Sequence, residues 1–131
     1  MKIRGTLLTF DKIYRPPCYP HMFTKDTNFT IPEKIPLIWN FKTNDPESVL
    51  GNVKAFVTEK GISIEGDIFD ESIPNHIDPF WGLGGFYNRL AKHKKDDIYI
   101  IDEANVATVS IVPNPISDDL GFEIFKEENK E

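Results

Sequence analysis

The sequence has one cysteine, no long hydrophobic run and no excess of basic residues. Cys18 alone excludes an internal disulfide, and without a cysteine pair the chain lacks common ligands of a structural zinc site. The first apolar run is far shorter than a signal-peptide core or a membrane span. With Lys+Arg 15 and Asp+Glu 21, the net charge of -6 disfavours a phosphate-binding surface. We therefore expect a soluble protein of a reducing compartment, with no nucleic acid and no membrane as partner.

Stretches long enough for an average helix are also scarce. Ten prolines interrupt the 131 residues, and the short intervals between them are rich in Ile, Val, Phe and Thr. A composition of 40% hydrophobic and 27% charged residues is that of an ordinary globular domain. The length suits one core, so residues 1 to 131 are assigned to a single domain. The sequence therefore predicts a mainly β domain.

The clearest local pattern predicts a β-hairpin in the middle of the chain. Val53, Ala55 and Val57 alternate with other residues, as do Ile62, Ile64 and Ile68, around a short turn that contains Gly61. Residues 70–85 are predicted to be a loop, and residues 86–95 fit a helix or a strand. Further short strands are predicted at residues 2–10, 35–41, 97–101, 106–112 and 121–125, with the polar residues 102–105 as the turn of a second hairpin.

About seven short strands in one small domain favour a closed or nearly closed β-barrel with at most one short helix. Residues 11–33 are predicted to form an irregular, proline-rich arm, and residues 126–131 a charged, frayed tail. The arm is too aromatic for a solvated linker, because it carries Tyr14, Tyr19, Phe23 and Phe29. These four side chains are candidate partner contacts, and packing into the chain's own barrel is the equally weighted alternative.

Residues that carry chemistry form no convincing cluster. Cys18 and His21 have a spacing that a metal site can use, with His76 and Asp78 further along, but no third ligand of similar kind lies near them. We therefore predict no metal and no cofactor.

Three other motifs also favour structural roles. The basic residues 92–95 precede two aspartates, which favours a solvated turn. The glycines of residues 82–85 lack the strand-then-helix context of a phosphate-binding loop. Ser110 lies in an alternating strand with no base near it in sequence, so pairing within a sheet is the favoured interpretation.

Four segments, in order, resemble the prohead maturation protease family of tailed bacteriophages, whose barrel is similar to that of herpesvirus assemblins. They are IRGTLLTFDK, IPLIWNFKTNDPESVLGNVKAFVTEKGISIEGDI, WGLGGF and VATVSIVPNPI. The third resembles the family's serine motif of the form G-L-S-x-G-F, and the last resembles its closing strand of the form L-x-E-V-S-L-V-P-x-P-A. The last segment is the most specific of the four, and the hairpin is next.

The resemblance implies that all three catalytic positions hold residues without the required chemistry. Asn40 and Phe41 stand where the family has its histidine. Gly84, or Leu83 if the alignment slips by one, stands at the serine nucleophile, and Thr108 stands at the acidic residue. Peptide hydrolysis needs a nucleophile, a base and a group that orients the base. The resemblance therefore implies a protease fold without catalytic residues.

A fold that has lost its chemistry is retained for its surface. We expect a non-catalytic auxiliary, or decoration, protein of the phage capsid, made in the bacterial cytoplasm, bound to the major capsid protein in the virion and oligomeric, with a trimer favoured. The first alternative is an active prohead serine protease that uses Ser110 with His76 or His93. The others are a head-completion or tail component, and a nucleic-acid-binding barrel that stacks bases on Trp39, Phe41 and Phe56.

Overall fold

Eight strands account for most of the part of the chain that the structure describes. This computed structural model describes residues 1–14, 20–42, 46–69, 81–113 and 119–126. The strands are β1 (Lys2–Thr9), β2 (His21–Thr30), β3 (Ile35–Trp39), β4 (Val49–Val57), β5 (Gly61–Ile68), β6 (Gly82–Lys95), β7 (Ile98–Val112) and β8 (Phe122–Phe125). One 3₁₀ turn, Pro46–Ser48, is the sole helical element among these residues. The predicted mainly β class is confirmed.

All eight strands belong to one sheet, and β7 is its central strand. The hydrogen-bonded order is β2-β7-β3-β4-β5-β1-β8, with β6 paired to β7 outside this path. One edge of β7 pairs antiparallel with β6 over most of its length. The other edge is shared by two parallel neighbours, β2 beside Tyr99 to Asn105 and β3 beside Val109 to Ile111. The N-terminal and C-terminal halves of β7 therefore join different parts of the chain.

The sheet differs from the predicted barrel in strand number and in closure. It has eight strands instead of about seven, and the ladders between described residues do not join β6 to β1. The physical reason is that β8 occupies the second edge of β1, where Lys2 pairs with Phe125 and Gly5 pairs with Phe122. β6 and β1 each donate one backbone hydrogen bond to the segment that precedes β8, from Leu83 N–H to Leu120 C=O at 2.7 Å and from Thr6 N–H to Gly121 C=O at 3.0 Å.

The predicted irregular arm contains a strand of ten residues. Between Pro20 and Pro32 the chain forms β2, which pairs with β7 and buries His21, Phe23 and Thr27. Four residues of β2 bulge out between its two paired halves, and there the Thr27 hydroxyl donates to the backbone oxygen of Ile101 at 2.6 Å. The pairing is parallel and distant in sequence, so local proline content did not reveal it.

The second predicted hairpin is wrong, because the strands predicted at residues 97–101 and 106–112 are parts of one continuous strand, β7 (Ile98–Val112). The polar residues 102–105 resemble a turn in sequence, but Ala104 is buried and this stretch pairs with β2 on one side and β6 on the other. The true hairpin partner of β7 is β6, through a turn at residues 96–97. Residues 86–95, which fitted a helix or a strand, are therefore strand.

The first hairpin and the core follow the sequence pattern closely. β4 and β5 pair antiparallel, with Val53 opposite Gly66 and Val57 opposite Ile62. Val53, Ile62, Ile64 and Ile68 are buried, whereas Val57 at the end of β4 is 55% exposed. The predicted strand at residues 121–125 is confirmed as β8. The core also takes buried side chains from other strands, among them Ile3, Leu7, Phe23, Leu37, Leu83, Ile101, Val109 and Ile111.

Candidate functional site

The chain turns sharply after β3, and this turn presents Phe41 to the β6–β7 hairpin. Asn40 and Phe41 have φ values of 46° and 60°, and Lys42 N–H donates to Trp39 C=O at 3.0 Å. Two successive positive φ values with such a hydrogen bond are features of a type I′ turn. Asparagine tolerates this conformation, whereas phenylalanine at positive φ costs roughly 1–3 kcal/mol.

Two hydrogen bonds to β7 hold this turn in place. Asn40 N–H donates to the backbone oxygen of Ile111 at 3.0 Å, and Phe41 N–H donates to the Ser110 hydroxyl oxygen at 3.1 Å. Ser110 is fully buried. Its hydroxyl therefore accepts a backbone hydrogen bond and contributes to the structure of the turn.

The ring of Phe41 covers Gly84 on the neighbouring strand. A Cβ atom added at Gly84 would lie 2.5 Å from Cζ of Phe41, closer than carbon atoms pack. Gly84 is paired with Ser110 in the β6–β7 ladder. The structure thus brings together the two positions at which the resemblance implies the histidine and the nucleophile, and an aromatic ring fills the space that a side chain at Gly84 would need.

Thr108, at the position of the acidic residue, lies on the same face of β7 as Ser110. Residues two apart on a strand share a face, and Thr108 pairs with Phe86, two residue pairs beyond the Gly84–Ser110 pair. Its hydroxyl oxygen is buried and has no hydrogen-bond partner among the described residues. The three positions therefore belong to one surface, but Phe41 has no imidazole to act as a base, Thr108 has no carboxylate to orient one, and Gly84 has no side chain to act as a nucleophile.

The alternative protease site built on Ser110 and His93 is not assembled. His93 pairs with Ile100, ten residues before Ser110 on β7, which is roughly 30 Å along the strand at 3.3 Å per residue. The His93 imidazole instead contacts the Asp102 carboxylate at 2.8 Å. His76, the other base considered, lies outside the described residues.

The candidate contact residues of the arm occupy different environments. Tyr14 is 2% exposed and Phe23 is 1% exposed, so both belong to the core of this chain. Phe29 is partly buried and stacks on Phe23 at 5.6 Å between ring centroids. Tyr19 lies outside the described residues. An intermolecular contact through Tyr14 or Phe23 would require these side chains to leave the core.

The aromatic residues of the nucleic-acid alternative do not form one stacking surface. Trp39 packs on Trp81 at 4.8 Å between ring centroids, beside the Phe41 turn. Phe56 is exposed, but it lies seven residues along β4 from Val49, the neighbour of Ile38. That spacing places it roughly 23 Å away along the strand. One base could not bridge the two locations.

The metal and basic motifs add no site within the described part of the chain. Cys18, His76 and Asp78 lie outside it, and His21 is buried beside Arg89, with Nε2 3.4 Å from Nη2. The described residues contain no group of three His, Cys, Asp or Glu side chains that could hold a metal ion. The basic residues 92–95 are exposed at the end of β6. None of the described helical residues forms a segment long and apolar enough to cross a membrane.

Sequence reasoning missed a groove of about 470 Å³ on the outer surface of β2, β7 and β6. Its apolar floor comes from Met22, Ile98 and Ile100. The parallel pairing of β2 with β7 creates this floor, and no local sequence pattern predicted that pairing. One feature of the sequence pointed to the groove, which is that aspartates recur at chain reversals, as at Asp11 and Asp96.

Comparison of the chain with protein-family models, curated proteins and solved structures finds no match.

Proposed function

We propose that this chain is a non-catalytic structural protein with a prohead-protease-like sheet, and that it acts as an auxiliary, or decoration, protein of a bacteriophage capsid. The observation that carries the proposal is the contact between Phe41 and Gly84. Phe41 and Gly84 are 43 residues apart in sequence, and these two positions, both singled out by the resemblance, meet in space. Their contact is apolar, so the surface that holds a catalytic site in the family is a packed surface in this chain.

The role of Ser110 supports the absence of proteolysis. A serine nucleophile must be accessible and must donate its proton to a base. The Ser110 hydroxyl is fully buried and accepts the Phe41 N–H. Its strand neighbour on the same face, Thr108, supplies no carboxylate.

We further propose that the sheet corresponds to the barrel of that family, with the segment at Leu120 and Gly121 bridging β6 and β1. Its support is the pair of hydrogen bonds that Leu83 and Thr6 donate to this segment, together with the burial of Leu120. In a barrel closed by this short segment, β8 lies outside the closed ring as a separate edge strand. This arrangement reconciles the eight strands of this chain with a family barrel that has fewer strands.

The partner in this proposal is the major capsid protein, and the chain binds it as a homo-oligomer, with a trimer favoured because threefold axes recur on capsid shells. The location is the virion, after synthesis in the bacterial cytoplasm. The proposed surface of contact lies outside the core, because Tyr14 and Phe23 are committed to packing within the chain.

Imaging of mature particles of the virus that encodes this chain tests the proposal. We expect side-chain density for the chain at many symmetry-related positions on the shell. A few copies at one vertex would indicate a head-completion or tail component, and absence from the particle would contradict the proposal.

Co-expression with the capsid protein tests the protease alternative separately. We expect no cleavage of capsid or scaffold protein, for the natural chain and for Ser110→Ala alike. Cleavage that Ser110→Ala abolishes would establish the protease and overturn the non-catalytic role.

A further inference from the structure

The groove across β2, β7 and β6 has the dimensions of a binding site. Met22 pairs with Ile100, and Ile100 pairs with His93, so three strands contribute side chains to one outward face. Its volume of about 470 Å³ falls within the range of ligand sites, roughly 300–1,000 Å³. Ile100 is 8% exposed, and Met22 and Ile98 are half-buried around it. The floor is thus an apolar surface bounded by polar walls.

The walls carry more negative than positive charge. Two lysines, Lys25 and Lys95, also line the groove, so the local charge is -2 with His93 neutral. The four carboxylates of the wall are those of Asp11, Asp26, Asp96 and Asp102.

Three of these carboxylates are available to a partner. Asp102 is paired with His93 at 2.8 Å, whereas Asp11, Asp26 and Asp96 have no ion-pair partner among the described residues. Asp11 and Asp96 stand at positive φ, 61° and 56°, in chain reversals that fix their backbone. Asp11 N–H donates to Phe23 C=O at 2.8 Å, and Asp26 N–H donates to the Thr24 hydroxyl oxygen at 3.1 Å.

A metal ion does not suit this arrangement. The carboxylates are distributed around the wall, and no three acidic, His or Cys side chains of the described chain group closely enough to hold an ion. An acidic ligand would meet a surplus of carboxylates. A wholly polar cation would leave the apolar floor of Met22, Ile98 and Ile100 uncovered.

We propose that this groove binds an extended segment of a partner protein that places an aliphatic side chain on the floor and a lysine or arginine against the wall. The charge of the wall selects the cation, and the floor selects the neighbouring apolar residue. This inference deepens the proposed function and rests on it for the identity of the partner, since the segment would belong to the shell protein. The binding chemistry itself can be measured without the shell.

A peptide titration followed by ¹H–¹⁵N NMR tests the inference. The probe is acetyl-Val-Arg-Val-Arg-Val-amide, and its matched control peptide has Glu in place of both Arg. We expect the Arg peptide to shift the amide signals of Met22, Ile98 and Ile100, and the Glu peptide to leave them unchanged. Binding of both peptides alike, or shifts confined to other surfaces, would overturn the proposal.

Charge variants identify the wall residues. Asp26→Asn with Asp96→Asn should weaken binding of the Arg peptide about tenfold, because each exposed charge contributes up to about 1 kcal/mol. Asn also tolerates the positive φ of residue 96, so the turn is retained. The control, Glu59→Gln with Glu65→Gln, removes two exposed charges elsewhere and should leave affinity unchanged. Equal affinity of the two double variants would contradict the assignment.

Three further outcomes are decisive, and the last two separate this inference from the proposed function. Self-association that Asp26→Asn with Asp96→Asn abolishes would make a second copy of this chain the occupant and overturn the proposal. If the chain binds the Arg peptide but is absent from mature particles, the groove stands as a binding site and the capsid role is rejected. If the chain is present on particles but does not bind the Arg peptide, the capsid role stands and the groove is rejected as a binding site.

Discussion

Gly84 and Gly85 are neighbours on β6, but a methyl group at each would meet a different kind of side chain. At Gly84 it would press on the tip of the Phe41 ring, which is 45% exposed and can move. At Gly85 it would overlap the buried phenol of Tyr87, which is 8% exposed. We expect Gly85→Ala to lower the free energy of unfolding by about 2–3 kcal/mol and Gly84→Ala by about 1 kcal/mol, as measured by urea denaturation.

A second substitution shows whether the Phe41 ring causes the cost at Gly84. In a Phe41→Ala background the obstacle is gone, so Gly84→Ala should cost less than in the natural chain. An unchanged cost in that background would contradict the ring contact. The same background should leave the cost of Gly85→Ala as it was.

The Tyr87 hydroxyl is buried without a hydrogen-bond partner among the described residues. Because an unsatisfied buried hydroxyl is costly, Tyr87→Phe should raise the free energy of unfolding by about 1 kcal/mol at pH 7. Tyr14→Phe is the matched control, because the Tyr14 hydroxyl oxygen accepts the Thr9 N–H at 2.9 Å. That substitution should lower the free energy of unfolding by about 1 kcal/mol.

The same tyrosine makes stability depend on alkaline pH. Burial raises the pKa of Tyr87 above its ordinary value of 10.0, because the phenolate is poorly solvated in the core. Above that ordinary pKa the unfolded chain loses the proton while the folded chain keeps it. Stability is therefore full below about pH 10 and falls above it, by up to about 1.4 kcal/mol per pH unit for this residue.

Tyr87→Phe isolates this contribution in urea denaturation at pH 8, 10 and 11. The variant should lose stability less steeply than the natural chain between pH 10 and 11. Burial also raises the pKa of Tyr14, against the opposing effect of its hydrogen bond with Thr9, so some alkaline dependence should persist in the variant. Parallel curves for the two proteins would contradict a protonated Tyr87 in the folded state.

At the scale of elements, β2 determines whether residues 11–33 are an appendage or part of the core. The Phe23 ring lies 5.2 Å from Tyr87 and 5.6 Å from Phe29 between ring centroids. Phe23→Ala should therefore cost about 3–5 kcal/mol of unfolding free energy, measured by thermal or urea denaturation. Phe56→Ala, on an exposed ring of β4, should cost less than about 1 kcal/mol.

Deletion of residues 11–31 extends this test from one ring to the whole element. The deletion removes the parallel neighbour of β7 and exposes the core side of Ile101, so we expect an unfolded chain. A folded deletion variant, together with a small effect of Phe23→Ala, would restore the interpretation of an independent arm.

Strands with a clear local pattern could be predicted from the sequence, including β8, whose partner β1 is distant, but the pairing itself could be predicted only where the partners share one turn. The β4–β5 hairpin was recognisable because Val53 and Ile62 to Ile68 carry the period of two on both sides of one turn. β2 was missed, and β7 was predicted only as two separate strands, because the parallel pairing of β2 with β7 joins residues more than seventy positions apart and parallel partners share no turn. The polar residues 102–105 then indicated a turn where tertiary pairing imposes a strand.

The candidate site shows the same limit at the scale of the molecule. The sequence could nominate Phe41, Gly84 and Thr108 only through a resemblance, and nothing local indicates that Phe41 and Gly84 touch. The positive φ of Phe41 could not be anticipated, because the conformation depends on hydrogen bonds that the Phe41 and Asn40 N–H groups donate to Ser110 and Ile111 across the sheet. The groove could not be predicted from the sequence for a similar reason, because its floor is formed by side chains of both β2 and β7.

The path of the sheet through the whole molecule predicts an order of amide protection in hydrogen exchange. β7 is paired on both edges from Tyr99 to Ile101 and from Val109 to Ile111, so the amides of Ile101 and of Val109 to Ile111 should exchange only through global unfolding. β8 is four residues long and pairs with β1 alone among the described strands. Amides of β8 such as Glu123 should exchange through local opening, at a free energy at least about 2 kcal/mol below the global value.

The amides of Leu83 and Thr6 decide whether the sheet behaves as a closed barrel. Both donate to the segment at Leu120 and Gly121, and Leu83 and Leu120 are buried, so a functioning bridge should exclude water from these bonds. We expect the two amides to exchange at the global rate, with the urea dependence of β7. Exchange as fast as that of Glu123 would mean that the bridge opens independently, and that β6 and β1 are the edges of an open sheet.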